Sequence, residues 1–185
     1  MPMDELLGRE EQDRLLKLAR ESLEARVHRH RAPAPPAGGL LDSHRGAFVT
    51  LHRQGELRGC LGRIDVDQPL AETVAHLAAV VSDSDPRFTP VDAKELPAID
   101  VEISVLTPER EPASLEEIEV GRHGLIVERG SRRGLLLPQV ATEHGWDRET
   151  FLSHTCLKAG LPPDAWRHGA RVLIFEAQVF GERSR

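Results

Sequence analysis

Cysteine, lysine and long apolar runs are what this 185-residue chain has least of. Its only thiols are Cys60 and Cys156. Two isolated cysteines are too few for a disulfide scaffold and lack the spacing of a zinc site. A reduced, cytoplasmic setting is the simplest reading. No apolar stretch is long enough to span a bilayer, and Met1 to Gly8 lacks the basic and apolar sectors of a signal peptide. The histidines at His28, His30, His44, His76, His144, His154 and His168 show no paired ligand spacing, so no metal site is expected. There is no cofactor fingerprint, no iron–sulfur cysteine set and no complete triad spacing, so no cofactor is expected either. Lysine is confined to Lys17, Lys94 and Lys158, which leaves arginine to carry nearly all the positive charge. At a net charge of −6, with basic residues scattered among acidic ones, a dominant phosphate-binding surface is disfavoured. Nucleic acid and membrane are therefore not expected partners, although room remains for a local basic pocket.

What is present reads as one large domain or two small lobes with a real core. Residues 9–30 place Leu15, Leu16, Leu18, Ala19, Leu23 and Val27 on one helical face. The run Ala32-Pro33-Ala34-Pro35-Pro36-Ala37-Gly38-Gly39 that follows is neither helix nor central strand but an extended linker. Residues 45–53 and 57–64 read as a hairpin around Gln54-Gly55-Glu56. A three-residue loop matches Val49 and Leu51 with Leu61 and Gly59, and sets Thr50 and His52 beside Cys60 and Arg58. A two-residue turn instead puts Val49 and Leu51 on the Arg58/Cys60 face, so the first register is preferred. Pro69 opens a helix over 70–82 with Leu70, Val74, Leu77, Ala78 and Val81 buried. Ile99, Val101, Ile103 and Val105 alternate as a half-buried antiparallel strand over 98–107. A short helical turn at 114–119 precedes strands at 125–129 and 135–137, which are separated by Gly130–Gly134. A short helix from Pro138 to near Gly145 comes next, then a helix capped by Asp147 and ended by Gly160. A final strand spans 171–180, with Leu173, Phe175, Ala177 and Val179 alternating. Hairpins dominate and no βαβ alternation runs through the chain, so the fold class is α+β with antiparallel sheets and flanking helices.

The chemistry is concentrated in Leu57-Arg58-Gly59-Cys60-Leu61-Gly62. Strand alternation puts Arg58 and Cys60 on one face, with Leu57 and Leu61 on the other. Gly59 and Gly62 pack nothing, which suits a bulge or the approach of a ligand. Cys60 is thus a candidate nucleophile, its thiolate favoured by Arg58; the competing reading is an inert packing thiol. Cys156 lies on an apolar helical face and reads as core. Asp85-Pro86-Arg87-Phe88 offers a carboxylate and a guanidinium from a loop, Asp85 and Arg87 being ligand candidates and Phe88 an anchor. The alternative is a self-capped loop. His123, between Arg122 and Gly124, is a candidate base for Cys60, against a structural role in a glycine-rich turn. Gln139 stands at a helix start, where its amide binds a ligand or caps. Trp146 and Trp166 read as packing residues.

Taken together, Gly46–Thr50, Leu57–Gly62, Asp85–Val91, Gly121–Gly124, Leu136–Val140 and Cys156–Leu161 resemble, in order and spacing, the AMMECR domain family. The resemblance covers nearly the whole chain, and Arg-Gly-Cys-Leu-Gly is its most specific element, with Leu61 where the family usually has Ile. It implies one AMMECR-type domain over 1–185, with helix 9–30 and linker 32–39 packed on it. It also implies a larger and a smaller lobe built on antiparallel sheets, the cysteine motif facing the cleft between them. The prokaryotic form is similar to protein A of the AmmeMemoRadiSam system, encoded beside a Memo-like protein and a radical S-adenosylmethionine protein. Two functions are compatible with this. One is an accessory component that binds a small ligand or those partners through Arg58, Gly59, Gly62, Asp85, Arg87 and Gln139. The other is an enzyme using Cys60, with Arg58 holding a small anionic substrate bidentately.

Overall fold

Alternation along two strands decides which face of the first sheet is buried. In a computed structural model that describes residues 6–184, β1 (Ala47–Arg53) and β3 (Ile99–Leu106) pair antiparallel, with Val49 opposite Ile103 and Leu51 opposite Val101. Their inward residues Ala47, Val49, Leu51, Ile99, Val101, Ile103 and Val105 are all buried, as the sequence period predicts. β2 (Glu56–Arg63) and β7 (Ala177–Gly181) complete a four-stranded sheet in the order β2-β1-β3-β7. Helices α1 (Arg9–His28) and α2 (Leu70–Val80) add Leu15, Leu23, Leu70 and Val74 to the same apolar cluster. Each such side chain contributes about 1.5–3 kcal/mol by leaving water. Pro69 caps α2 from one position earlier than expected, with Leu70 as the first helical residue.

The β1–β2 hairpin reaches the expected register at the cysteine by a different route. Its connection is the two-residue turn Gln54-Gly55, with φ of 53° and 81°, the left-handed pair a tight hairpin needs. Two residues alone would flip β2, yet a bulge between Leu51 and His52 absorbs one residue of β2 and restores the phase. Thr50 therefore faces Cys60 and Leu51 faces Gly59, but His52 faces Leu57. Arg58, the extra residue, has no cross-strand partner, so the expected His52–Arg58 pairing does not occur.

The linker is a strap. Among Arg31–Gly38 only Pro33 and Pro36 are half-buried, a spacing of three that matches a polyproline II helix lying on one face. Arg14 on α1 donates to the Ala37 carbonyl at 3.0 Å, and Arg14, Leu18, Ala34 and Pro36 line one shallow depression.

The described residues divide into two compact units, one running to Leu106 and resuming at Gln178, the other Thr107–Ala177. The second holds a three-stranded antiparallel sheet of β5 (Arg132–Leu136), β4 (Gly124–Arg129) and β6 (Arg171–Phe175), with β4 central. Two helices, α3 (Pro138–His144) and α4 (Arg148–Lys158), belong to this unit. Leu125, Phe151, Leu152 and Ile174 form its core. Asp147 caps α4, accepting from the Thr150 amide at 2.8 Å.

Two strand boundaries differ from the sequence reading. The turn into β5 is Gly130-Ser131 alone, so the strand begins at Arg132. The single strand expected over 171–180 is two strands in different sheets, broken at Glu176. There the backbone turns to Thr107 instead of a sheet partner: the Thr107 amide donates to the Glu176 carbonyl at 2.8 Å, and the Glu176 amide donates to Thr107 Oγ1 at 2.8 Å. Past the break Phe180 is buried and Val179 exposed, the reverse of the predicted alternation. The reading of Met1 to Gly8 falls, for residues 1–5, outside the described residues. No described helix is long and apolar enough to cross a membrane.

Candidate functional site

β2 is an edge strand, so one row of its backbone amides faces away from the sheet. The loop after α2 supplies a partner. Asp85 accepts the Cys60 amide at 3.0 Å on Oδ2, which makes the loop a cover for the strand edge. Asp85 also accepts the Arg87 amide at 3.1 Å and its Nε at 3.0 Å on Oδ1, and Nη2 at 2.8 Å on Oδ2. A buried carboxylate is tolerable only when paired this fully. The Arg87 guanidinium above all, then the amides of Cys60 and Arg87, hold its carboxyl well below the usual range. Phe88 is half-buried, with Arg87 Cζ 5.4 Å from its ring centroid.

Cys60 itself is half-exposed. Thr50 Oγ1 donates to its sulfur at 3.3 Å across the strands. Beyond Thr50 in the same row stands Glu102 on β3, so thiol, hydroxyl and carboxylate line up on the face opposite the core. Cross-strand neighbours of this kind lie about 5 Å apart.

Arg58 is turned elsewhere. Its Nε and Nη2 fork onto Glu95 at 3.0 Å each, and its Nη1 donates to the Thr89 carbonyl at 2.9 Å. Only 13% of its side chain is exposed. Glu95 further accepts Arg53 at 2.8 Å and the Asp92 amide at 2.8 Å. Chiefly through Arg58, and then through the Asp92 amide and Arg53, its carboxyl drops to about 2. The bulge takes Arg58 out of the cross-strand pairing, and its guanidinium is committed to Glu95 and the Thr89 carbonyl, not to the thiol it is expected to polarise. Arg87 is the cation that senses the sulfur. Its own pKa is raised first by Asp85 and further by negative charge at Cys60.

At both glycines the protein's own atoms occupy the space a side chain would take. A Cβ on Gly59 would press on the Val81 side chain at 3.2 Å and its carbonyl at 3.3 Å, where the end of α2 meets the sheet. On Gly62 it would run into the Phe48 ring, its cross-strand neighbour. Both clearances are filled by the protein itself.

His123 and Gln139 belong to the second unit. His123 is buried; its Nδ1 accepts the Glu119 amide at 3.0 Å and its Nε2 lies 3.7 Å from Glu176. Burial above all lowers its pKa. With Nδ1 occupied and the proton on Nε2, the neutral ring has no free lone pair with which to act as a base. Gln139 is exposed at the start of the seven-residue α3, and its carbonyl accepts from Thr142 Oγ1 at 2.9 Å. Trp146 stacks with His154 at 3.9 Å and with His144 at 4.6 Å, and packs against the second unit's core. Among the described residues no group of three or more His, Cys, Asp and Glu side chains is arranged to hold a metal ion.

The AMMECR1 family model matches residues 16–180 of this sequence. The chain belongs to that family. A protein of Methanothermobacter thermautotrophicus is 47% identical over 186 residues, covering 95% of this chain and 96% of the relative. A protein of Methanosarcina mazei is 46% identical over 178 residues, with coverages of 91% and 89%. Among solved structures, Uncharacterized Protein PH0010 from Pyrococcus horikoshii superposes with a TM-score of 0.72 at 42% identity, covering 91% of this chain and 89% of its own.

Within this AMMECR1 chain, the residues brought together are Cys60, Thr50, Asp85 and Arg87, with Glu102 at the far end of the row. Glu95 went unread in the sequence as the partner of Arg58. Its signal was present, since Asp92-Ala93-Lys94-Glu95 is a capping-box spacing and both reciprocal bonds form. The thiol can make soft contacts or a thioester or disulfide bond. The free Nη1 edge of Arg87 can hold an anion.

Proposed function

We propose that this AMMECR1 chain is an accessory protein that binds a small ligand or partner at the Cys60 face of β2 without turning it over. One observation carries the reading. The groups a catalytic thiol would need are spent inside the fold: Arg58 on Glu95, Asp85 on Arg87 and the Cys60 amide, and the His123 lone pair on Glu119. The half-exposed thiol and the outer edge of Arg87 are left for recognition. The partners that fit the resemblance are a Memo-like protein and a radical S-adenosylmethionine protein. Titration calorimetry of the purified chain against each tests this. Binding weakened about tenfold by Arg87→Ala, with no product formed from added anionic metabolites, supports it. Affinity unchanged in both Arg87→Ala and Cys60→Ser moves the site elsewhere.

A second reading keeps Cys60 as a nucleophile. It is favoured by the half-exposed thiol, which has the Thr50 hydroxyl on its sulfur and Arg87 tied to the same Asp85 carboxylate that holds its amide. Mass spectrometry after incubation with activated acyl compounds distinguishes the two. A covalent adduct on Cys60 that forms and then clears supports catalysis.

A further inference from the structure

Gly121-Arg122-His123-Gly124 takes no part in that site, yet it holds a buried titratable ring. The Arg122 side chain reaches the Glu119 carboxylate at 3.4 Å, and three bonds converge on the Glu119 backbone at the entry to β4. Its carbonyl accepts the amides of Arg122 at 3.2 Å and His123 at 3.0 Å, and its own amide donates to His123 Nδ1 at 3.0 Å. Only the last depends on protonation. On the other side of the ring, Nε2 lies 3.7 Å from Glu176 Oε1. Glu176 is also the residue at which β6 gives way to β7, tied by its backbone to Thr107.

We propose that His123 is a proton-operated latch, whose protonation passes the ring from the Glu119 amide to the Glu176 carboxylate and releases that amide, while the Glu119 carbonyl keeps its two backbone bonds. A neutral imidazole has one acceptor nitrogen, and here it is Nδ1. When that nitrogen gains a proton, N–H faces N–H and the bond to Glu119 is lost. The new positive charge strengthens the contact at Nε2 instead, since Glu176 is the nearest acid. The other charged groups around the ring are Arg122 in its own turn, Arg110 and Glu117. The two arginines oppose the proton, as burial does, while Glu176 and Glu117 favour it. The latch is therefore closed at neutral pH and opens below the ordinary histidine range near 6.5. Release stays local: Glu119, Gly121 and Arg122 are exposed, while Ile118 before them remains buried.

Nitrogen-15 NMR of the full chain between pH 7.5 and 4.5 tests this directly. The His123 ring and the Glu119 amide are expected to titrate together, with a shared midpoint below 6.5. A Glu119 amide that ignores the ring's titration overturns the latch, as does a ring midpoint at or above 6.5. His123→Asn places a non-titrating amide oxygen where Nδ1 was, so the Glu119 amide shift is expected to stay flat; movement with the wild-type midpoint refutes the assignment. Glu176→Gln removes the acid that receives the ring, and the midpoint is expected to move down. An unchanged midpoint shows that Glu176 is not the receiver.

Discussion

The two cysteines of this chain share a chemistry and little else. Cys156 lies on α4 with no exposed surface, packed among Val127, Leu161 and Ala165, and burial pushes its thiol pKa up. Cys60 stands on an edge strand, half-exposed, with a hydroxyl on its sulfur and a carboxylate on its amide. The difference teaches that a thiol's availability follows from its element. A core helix hides its cysteine from solvent, whereas a strand edge must satisfy its outer amides and so gathers polar partners around one.

The comparison is most easily broken by alkylation. Iodoacetamide at neutral pH is expected to label Cys60 in the native protein, and Cys156 only on unfolding, about a thousandfold more slowly or worse. Peptide mapping over time checks this, and equal rates would end the distinction. The next largest effect concerns Asp85. Asp85→Ala leaves the Cys60 amide and the Arg87 guanidinium without their acceptor and is expected to cost about 1.5–3 kcal/mol in urea unfolding. It should also speed Cys60 labelling, because the loop no longer covers the strand edge. A smaller effect separates the two arginines. Arg87→Gln is expected to slow Cys60 labelling about two- to fivefold, as loss of a solvent-screened charge contact does, while Arg58→Gln leaves the rate alone and lowers stability instead. The reverse ranking would restore Arg58 as the thiol's cation.

The pH dependence sharpens the picture at its acid end. Glu95 has a folded pKa of about 2 against an ordinary value of 4.5. A depressed carboxylate contributes stability in full above its unfolded pKa and loses it as pH falls toward the folded one. The Arg58–Glu95 clamp is thus expected to weaken between about pH 4.5 and 2. Glu95→Gln should flatten thermal stability across that window, leaving the share due to Asp85. A variant with the wild-type slope would place the acid sensitivity elsewhere.

How much of this was legible in the sequence depends on the reach of the interaction. Val49, Leu51 and Ile99–Val105 alternate cleanly, and their burial followed from the period alone. The register at Cys60 was also legible, because only one phase keeps apolar against apolar. The route to it was not: a three-residue loop, and a two-residue turn with a bulge, produce the same pairing at Thr50 and Cys60, so the alternation is blind to which occurs. That blindness misplaced the expected His52–Arg58 pair, since a bulged residue has no cross-strand partner. The break at Glu176 was hidden for a related reason. Leu173, Phe175, Ala177 and Val179 keep the period across it, with no glycine or proline to mark the change of sheet. The glycines misled because sequence displays the missing side chain and not the neighbour that fills the space. Gly62 under Phe48 has a counterpart in Gly124 under Phe175, so ring-over-glycine pairing is a packing device used in both sheets.

The proline strap bears on how α1 stays attached to a body it joins only through sequence-distant contacts. Its exposed residues have the composition of a protease-sensitive tether, yet Ala34 and Pro36 line a depression with Arg14 and Leu18 of α1, and Arg14 holds Ala37. A nicking enzyme needs backbone it can draw out into its cleft, and this segment is held to α1 at Ala37. Its prolines also act on the denatured chain, where each narrows the conformations that folding must give up, a difference of about 0.4–1 kcal/mol per residue. Exchanging Pro33 and Pro36 for glycine would therefore loosen α1 through the disordered ensemble more than through any native contact, and turn a resistant segment into the first place the chain is cut.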